Sequence, residues 1–156
     1  MKVLFLDFDG VLNSDRYVRR HGNTGLIIDP ARMELLQRII RETDAKIVLS
    51  TSWREHWSSV PSQCDAVGDT VNALFARYGL TIYDKTPKRR DGREREIAQW
   101  LRDFPSVTAF AVLDDRFLEA PFLNDHLVLT SNRRDGLDED DANKAIALLQ
   151  QEEDAI

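Results

Sequence analysis

Cysteine is nearly absent from this chain of 156 residues: Cys64 stands alone, so no internal disulfide can form and a reducing compartment is expected. No stretch reaches the eighteen or so apolar residues of a membrane span. The opening Met-Lys-Val-Leu-Phe-Leu has the look of a signal peptide, but Asp7 and Asp9 interrupt it after four apolar residues, too few for its hydrophobic region. A cytoplasmic protein without membrane contact is therefore expected. Positive charge is also in deficit, with a formal net charge of −6, which argues against broad, unspecific nucleic-acid binding. His21, His56 and His126 lack metal-ligand spacing, and no internal repeat or low-complexity tract is present. The length fits one domain with a real core, spanning residues 1–156.

Apolar runs alternating with helical periods fill this frame, the pattern of a parallel sheet with crossover helices. Strands are expected at Val3–Leu6, Lys46–Leu49, Leu80–Tyr83, Thr108–Leu113 and Leu127–Leu129. Asp29-Pro30 reads as a cap and first helical residue for a helix to about Thr43. Further helices are expected from about Asp69 to Tyr78, stopped by Gly79, from Arg93 to Phe104, and from about Asp138 onward. Residues 13–28 are polar and read as a flap or loop over the site. Residues 53–68 carry two tryptophans and Pro61 and receive no assignment.

The first strand runs straight into Asp7-Phe8-Asp9-Gly10. Carboxyl ends of parallel strands are where ligands bind in open α/β sheets. Alternation along an extended chain would put Asp7 and Asp9 on the same side. Two carboxylates so placed repel unless a cation or a shared proton lies between them. A metal-assisted site with one carboxylate free to attack is the natural expectation. Other polar clusters follow strands: Ser50-Thr51-Ser52-Trp53-Arg54 after the second and Asp114-Asp115-Arg116 after the fourth. Between them, residues 85–95 hold six cationic and two anionic side chains. Trp53, Trp57 and Trp100 read as packing residues rather than base-stacking ones. The acids from Asp135 to Asp141 lack a calcium-loop pattern and suit a helix start.

In this order DFDGV, VLS, the basic segment and VLDD make the chain resemble the haloacid dehalogenase (HAD) superfamily of phosphohydrolases over nearly its whole length. VLSTSWR, TP before the basic stretch, REREIAQWL, VLDDR and a late TSNRRDGL are similar to the HAD domains associated with RNA-repair proteins. The DDR is also similar to the 3′-phosphatase module of polynucleotide kinases. The resemblance implies a Rossmann-like sheet of about five parallel strands in the order 5-4-1-2-3, with little or no cap. Asp7 would be the nucleophile and form an aspartyl-phosphate; Asp9 would serve as general acid, then base. Mg²⁺ would be held by Asp7, the Asp9 carbonyl and Asp114, with Asp115 as ligand or support. Ser50, favoured over Thr51, would bind a phosphoryl oxygen. The third-motif cation is left open, Lys88 slightly ahead of Arg93, with Lys85 or Arg95 behind. The implied substrate is a phosphate monoester, with a nucleic-acid end as the favoured class. A small metabolite, a phosphoprotein, or a non-catalytic HAD-fold binding module are the alternatives.

Overall fold

In the computed structural model, residues 1–22 and 24–151 are described. Strand β1 (Lys2–Leu6) is buried from Val3 onward, as its continuous apolar run requires. A short helix α1 (Asp15–His21) and the longer α2 (Pro30–Thr43) lead to β2 (Lys46–Leu49). Two 3-10 turns, Ser52–His56 and Pro61–Gln63, precede α3 (Ala66–Arg77) and β3 (Ile82–Lys85). Helix α4 (Arg93–Asp103), β4 (Ala109–Asp114), α5 (Pro121–Asn124), β5 (Leu127–Leu129) and α6 (Glu139–Gln150) complete the order.

The five strands are parallel and ordered β3-β2-β1-β4-β5, the implied HAD order. Period-two alternation divides the core between the two faces of the sheet. Leu4, Leu6, Ile47, Leu49, Ala111 and Leu113 pack with α2, α3 and α6, whereas Val3, Phe5, Val48 and Val112 pack with α4 and α5. Asp29 caps α2 as expected, its carboxylate accepting from the Ala31 N–H with Pro30 at the first turn. Asp138 and Asp141 form a reciprocal capping box on α6, so that acidic run is a helix start. Among the described residues no helix is long and apolar enough to cross a membrane.

The strand register sets where the polar segments emerge. Leu6 lies beside Leu49 on one flank and Leu113 on the other, so β1 and β2 end level and β4 reaches one residue beyond them. The Asp7 N–H donates to the Leu113 carbonyl at 3.1 Å and the Ser50 N–H to the Leu6 carbonyl at 3.0 Å. Residues 7, 50 and 114 therefore leave the sheet at one edge.

Four local expectations are corrected. Part of the expected flap is α1, a helix with no buried residue, so it has no apolar stripe to announce it. The third strand starts at Ile82 because Leu80 is spent on the core, its N–H bonded to the Phe75 carbonyl across the Gly79 turn. Helix α3 starts at Ala66 rather than Asp69, since Asp65 caps the Val67 and Gly68 N–H groups. Strand β4 runs one residue further than expected and takes in Asp114.

Candidate active site

Once past Leu6 the chain is no longer a strand, and the expected pairing of Asp7 with Asp9 does not form. Asp7 is 5 % exposed; one oxygen accepts the Phe8 N–H at 2.9 Å and the other faces Arg93 Nη1 at 3.1 Å. The same Arg93 nitrogen donates to Asp114 Oδ2 at 2.7 Å, and Asp114 is fully buried. Asp7, Asp114 and Asp115 each bring a carboxylate oxygen within 4.8 Å of the others. Asp9 is exposed and outside this trio, its carboxylate bonded to Asn13 Nδ2 at 3.0 Å and Trp53 Nε1 at 2.8 Å. Its side chain is thus turned to other partners, leaving only its backbone carbonyl for the expected role toward a metal.

The electrostatics follow from the burial. Loss of solvent raises the Asp7 pKa to about 6, and the Asp114 and Asp115 carboxylates push the same way; Arg93 and the Phe8 N–H pull against them. Asp115 is also raised, by burial first and then by Asp114. Arg93 stays above its ordinary value because Asp7 and Asp114 outweigh the burial that opposes its charge. Three hard oxygen donors crowded in this way suit Mg²⁺, which would relieve the repulsion that one guanidinium leaves.

Ser50 and Thr51 separate cleanly. Thr51 Oγ1 accepts the Trp53 N–H at 3.3 Å and caps the 3-10 turn. Ser50 is fully buried at the strand end, and its hydroxyl has no hydrogen-bond partner among the described residues. A buried hydroxyl left unpaired is costly unless something arrives to receive it, and an anionic oxygen is a fitting acceptor.

The cations of the basic segment lie in different surroundings. Lys88, the favoured lysine, is on the surface with its side chain 76 % exposed and its Nζ 2.8 Å from Glu55. Lys85 Nζ donates to the Arg54 and Trp57 carbonyls, closing the 3-10 turn. Arg89 is tied to Asp91 and Gln99. Arg90 and Arg95 are exposed and make no ion pair among the described residues. Arg93 alone of the six reaches the carboxylates. Its place follows from helix phase: Arg93, Glu96, Ile97 and Trp100 are spaced i, i+3, i+4 and i+7 on the face α4 buries.

Several contributors give little sign of themselves in the sequence. Gly10, at φ 80°, sits so close to Asp115 that a Cβ would lie 2.2 Å from its Oδ2, so only glycine fits. The late TSNRRDGL segment buttresses this same loop. Thr130 Oγ1 donates to the Gly10 carbonyl at 2.7 Å, the Leu137 N–H to the Val11 carbonyl at 2.8 Å, and a Cβ on Gly136 would lie 2.4 Å from the Asn13 carbonyl oxygen. A buried Arg54–Glu96 ion pair joins the loop after β2 to α4; Arg54 also donates to the Thr51 carbonyl and Glu96 accepts the Arg89 N–H. Apart from the bonds of Arg54 to Thr51 and of Arg89 to Glu96, the partners lie far apart in sequence, and only the glycines at 10 and 136 hint at a tight approach.

A family model described as the HAD domain in Swiss Army Knife RNA repair proteins matches residues 3–142. None of the curated proteins matches the chain.

Proposed function

This chain belongs to the HAD domains of Swiss Army Knife RNA repair proteins, within the HAD-type phosphohydrolases, and from that premise we propose that it is a Mg²⁺-dependent phosphatase acting on phosphate monoesters through Asp7. The carrying observation is the buried Asp7 carboxylate sharing one guanidinium with Asp114, with Asp115 beside them. With a pKa of about 6, Asp7 is ionised at neutral pH and able to attack. Its oxygen bonds to phosphorus as the ester oxygen leaves, and Asp9 gives that oxygen a proton. Water then attacks phosphorus, Asp9 takes the water's proton, and the bond from phosphorus to Asp7 breaks, releasing inorganic phosphate. Arg93 and the Ser50 hydroxyl hold the equatorial oxygens, where stabilisation of spreading charge matters most. Asp7, Asp114 and the Asp9 carbonyl, with Asp115 in support, would hold Mg²⁺, which supplies Lewis-acid charge to the phosphoryl group.

The family's description favours a phosphorylated nucleic-acid end as substrate over a small metabolite or a phosphoprotein. The retained carboxylates weigh against a binding module that has lost its chemistry, and the solitary cysteine favours a cytoplasmic location. Metal-stripped protein should be assayed with Mg²⁺, Ca²⁺ or chelator on 3′- and 5′-phosphorylated oligonucleotides, nucleotides, phosphopeptides and sugar phosphates. Release of phosphate with Mg²⁺, less with Ca²⁺ and none with chelator is the expected result. Full activity in excess chelator would exclude the mechanism.

A further inference from the structure

Trp57 and Trp100 are buried, and their indole N–H groups are satisfied inside the protein by Asn72 and Asp84. Trp53 differs. It is half-buried, and its N–H reaches across 44 positions of sequence to the exposed carboxylate of Asp9. Water could satisfy an N–H at such a place, so burial alone does not demand this contact.

The other Asp9 oxygen is held with equal care. Asn13 is 3 % exposed and its amide is fully turned toward the protein: Oδ1 accepts the Gly10 N–H at 2.9 Å, and Nδ2 donates to Asp9 Oδ1 at 3.0 Å and to the Ile27 carbonyl at 2.7 Å. Those partners fix which end of the amide faces Asp9. Trp53 is fixed in turn through its backbone N–H on Thr51 Oγ1, beside Ser50. Two donors from separate segments therefore set the rotation of one carboxylate. Each oxygen retains a further lone pair for a proton.

We infer that Trp53 and Asn13 are positioning residues for proton transfer by Asp9, holding its carboxylate toward the departing ester oxygen. The inference rests on the phosphatase reading above. Proton transfer is geometry-sensitive, and a small displacement of the reacting group slows it out of proportion to the strength of one hydrogen bond. The need for that proton depends on the leaving group. An alkoxide leaves poorly without it, whereas 4-nitrophenolate leaves without help.

The test compares kcat/KM for an alkyl phosphate with that for 4-nitrophenyl phosphate, because this ratio covers the steps through transfer of phosphorus to Asp7. Trp53→Phe keeps a ring and removes the N–H; Asn13→Asp keeps the volume and turns a donor into an acceptor. Each should lower kcat/KM on the alkyl ester about ten-fold, as for a hydrogen bond to a charged group, and less than about two-fold on the aryl ester. In an Asp9→Asn background, Trp53→Phe should cost nothing more. Equal losses on both esters, or an undiminished loss in the Asp9→Asn background, would overturn the inference. The Trp53–Asp9 hydrogen bond also has a readout independent of turnover: the indole ¹H–¹⁵N resonance that disappears in Trp53→Phe should shift in Asp9→Ala. An unmoved resonance would refute the hydrogen bond even in an active enzyme. Shifted resonance with no hydrolysis of any monoester would instead refute the phosphatase reading and, with it, the role in proton transfer.

Discussion

Lys88 and Arg93 belong to one basic stretch, yet they end in opposite surroundings. Lys88 lies in the loop after β3, where solvent and Glu55 share its charge. Arg93 opens α4, and the helix that buries Ile97 and Trp100 against the sheet carries it to Asp7 and Asp114. The density of cations in a sequence thus says little about the charge delivered to a site; the phase of the element that carries them says more. A pair at the surface is screened and contributes little, whereas a guanidinium between two desolvated carboxylates acts at low dielectric.

The contrast predicts its largest effect in kinetics. Arg93→Ala should lower kcat by about 10²–10³, the usual cost of removing a donor aimed at developing charge, while Lys88→Ala should change it less than about two-fold. Steady-state assays on one monoester decide the matter, and comparable losses would erase the distinction.

The second effect is on stability, and it has a definite sign. The Asp7 pKa is about 6 in the folded protein against an ordinary 3.8, so the folded state keeps a proton that the unfolded chain has released. Stability from the neutral form is therefore fully present below about pH 4 and is lost as pH rises through 6. Asp7→Asn, which cannot ionise, should be more stable than wild type by roughly 3 kcal/mol at pH 8 without divalent cations, with the gain vanishing near pH 4. Asp141 shifts in the same direction, but it is common to both proteins and cancels. Urea titrations at several pH values measure this, and a gain that grows toward acid would contradict it. Mg²⁺ should shrink the gain by binding the wild-type fold.

The two neighbouring hydroxyls should part in kind. Ser50→Ala should cost about ten-fold in kcat/KM with little change in melting temperature, because its hydroxyl has no partner among the described residues. Thr51→Ala should cost about 1 kcal/mol of stability through removal of the cap, with a smaller kinetic effect. The smallest effect belongs to the surface cations. Charge reversal at Arg90, with Arg89 already held by Asp91, should raise KM for a phosphorylated oligonucleotide more than for a small ester. Each phosphate interaction removed should flatten the salt dependence by about 0.7 in log–log slope. Equal changes on both substrates would favour a small-molecule phosphatase.

Much of this architecture is legible in the chain itself. Continuous apolar runs locate β1, β2 and β4, because strands buried on both faces must be apolar throughout, and a shorter run locates β5 at the sheet edge, where Leu129 is left exposed. The residues at their ends name Asp7, Ser50, Asp114 and Asp115. Arg93 is legible too, since extending the stripe of Ile97 and Trp100 back one turn lands on it. The hidden features have a common cause. The hydrogen bonds and ion pair that join Trp53 with Asp9, Arg54 with Glu96 and Thr130 with Gly10 link segments distant in sequence through polar atoms, which leave no periodicity. Helix α1 hides for the related reason that it buries nothing.

In the proposed mechanism Asp7 carries the phosphoryl group. The direct measurement is rapid acid quenching of wild-type protein turning over a monoester with Mg²⁺, followed by peptide mass spectrometry. One phosphoryl group is expected on the peptide containing Asp7, placed at Asp7 by fragmentation, with neither adduct nor turnover in Asp7→Asn. Wild-type turnover retained by Asp7→Asn, or a phosphoryl group trapped on a different residue, would contradict it.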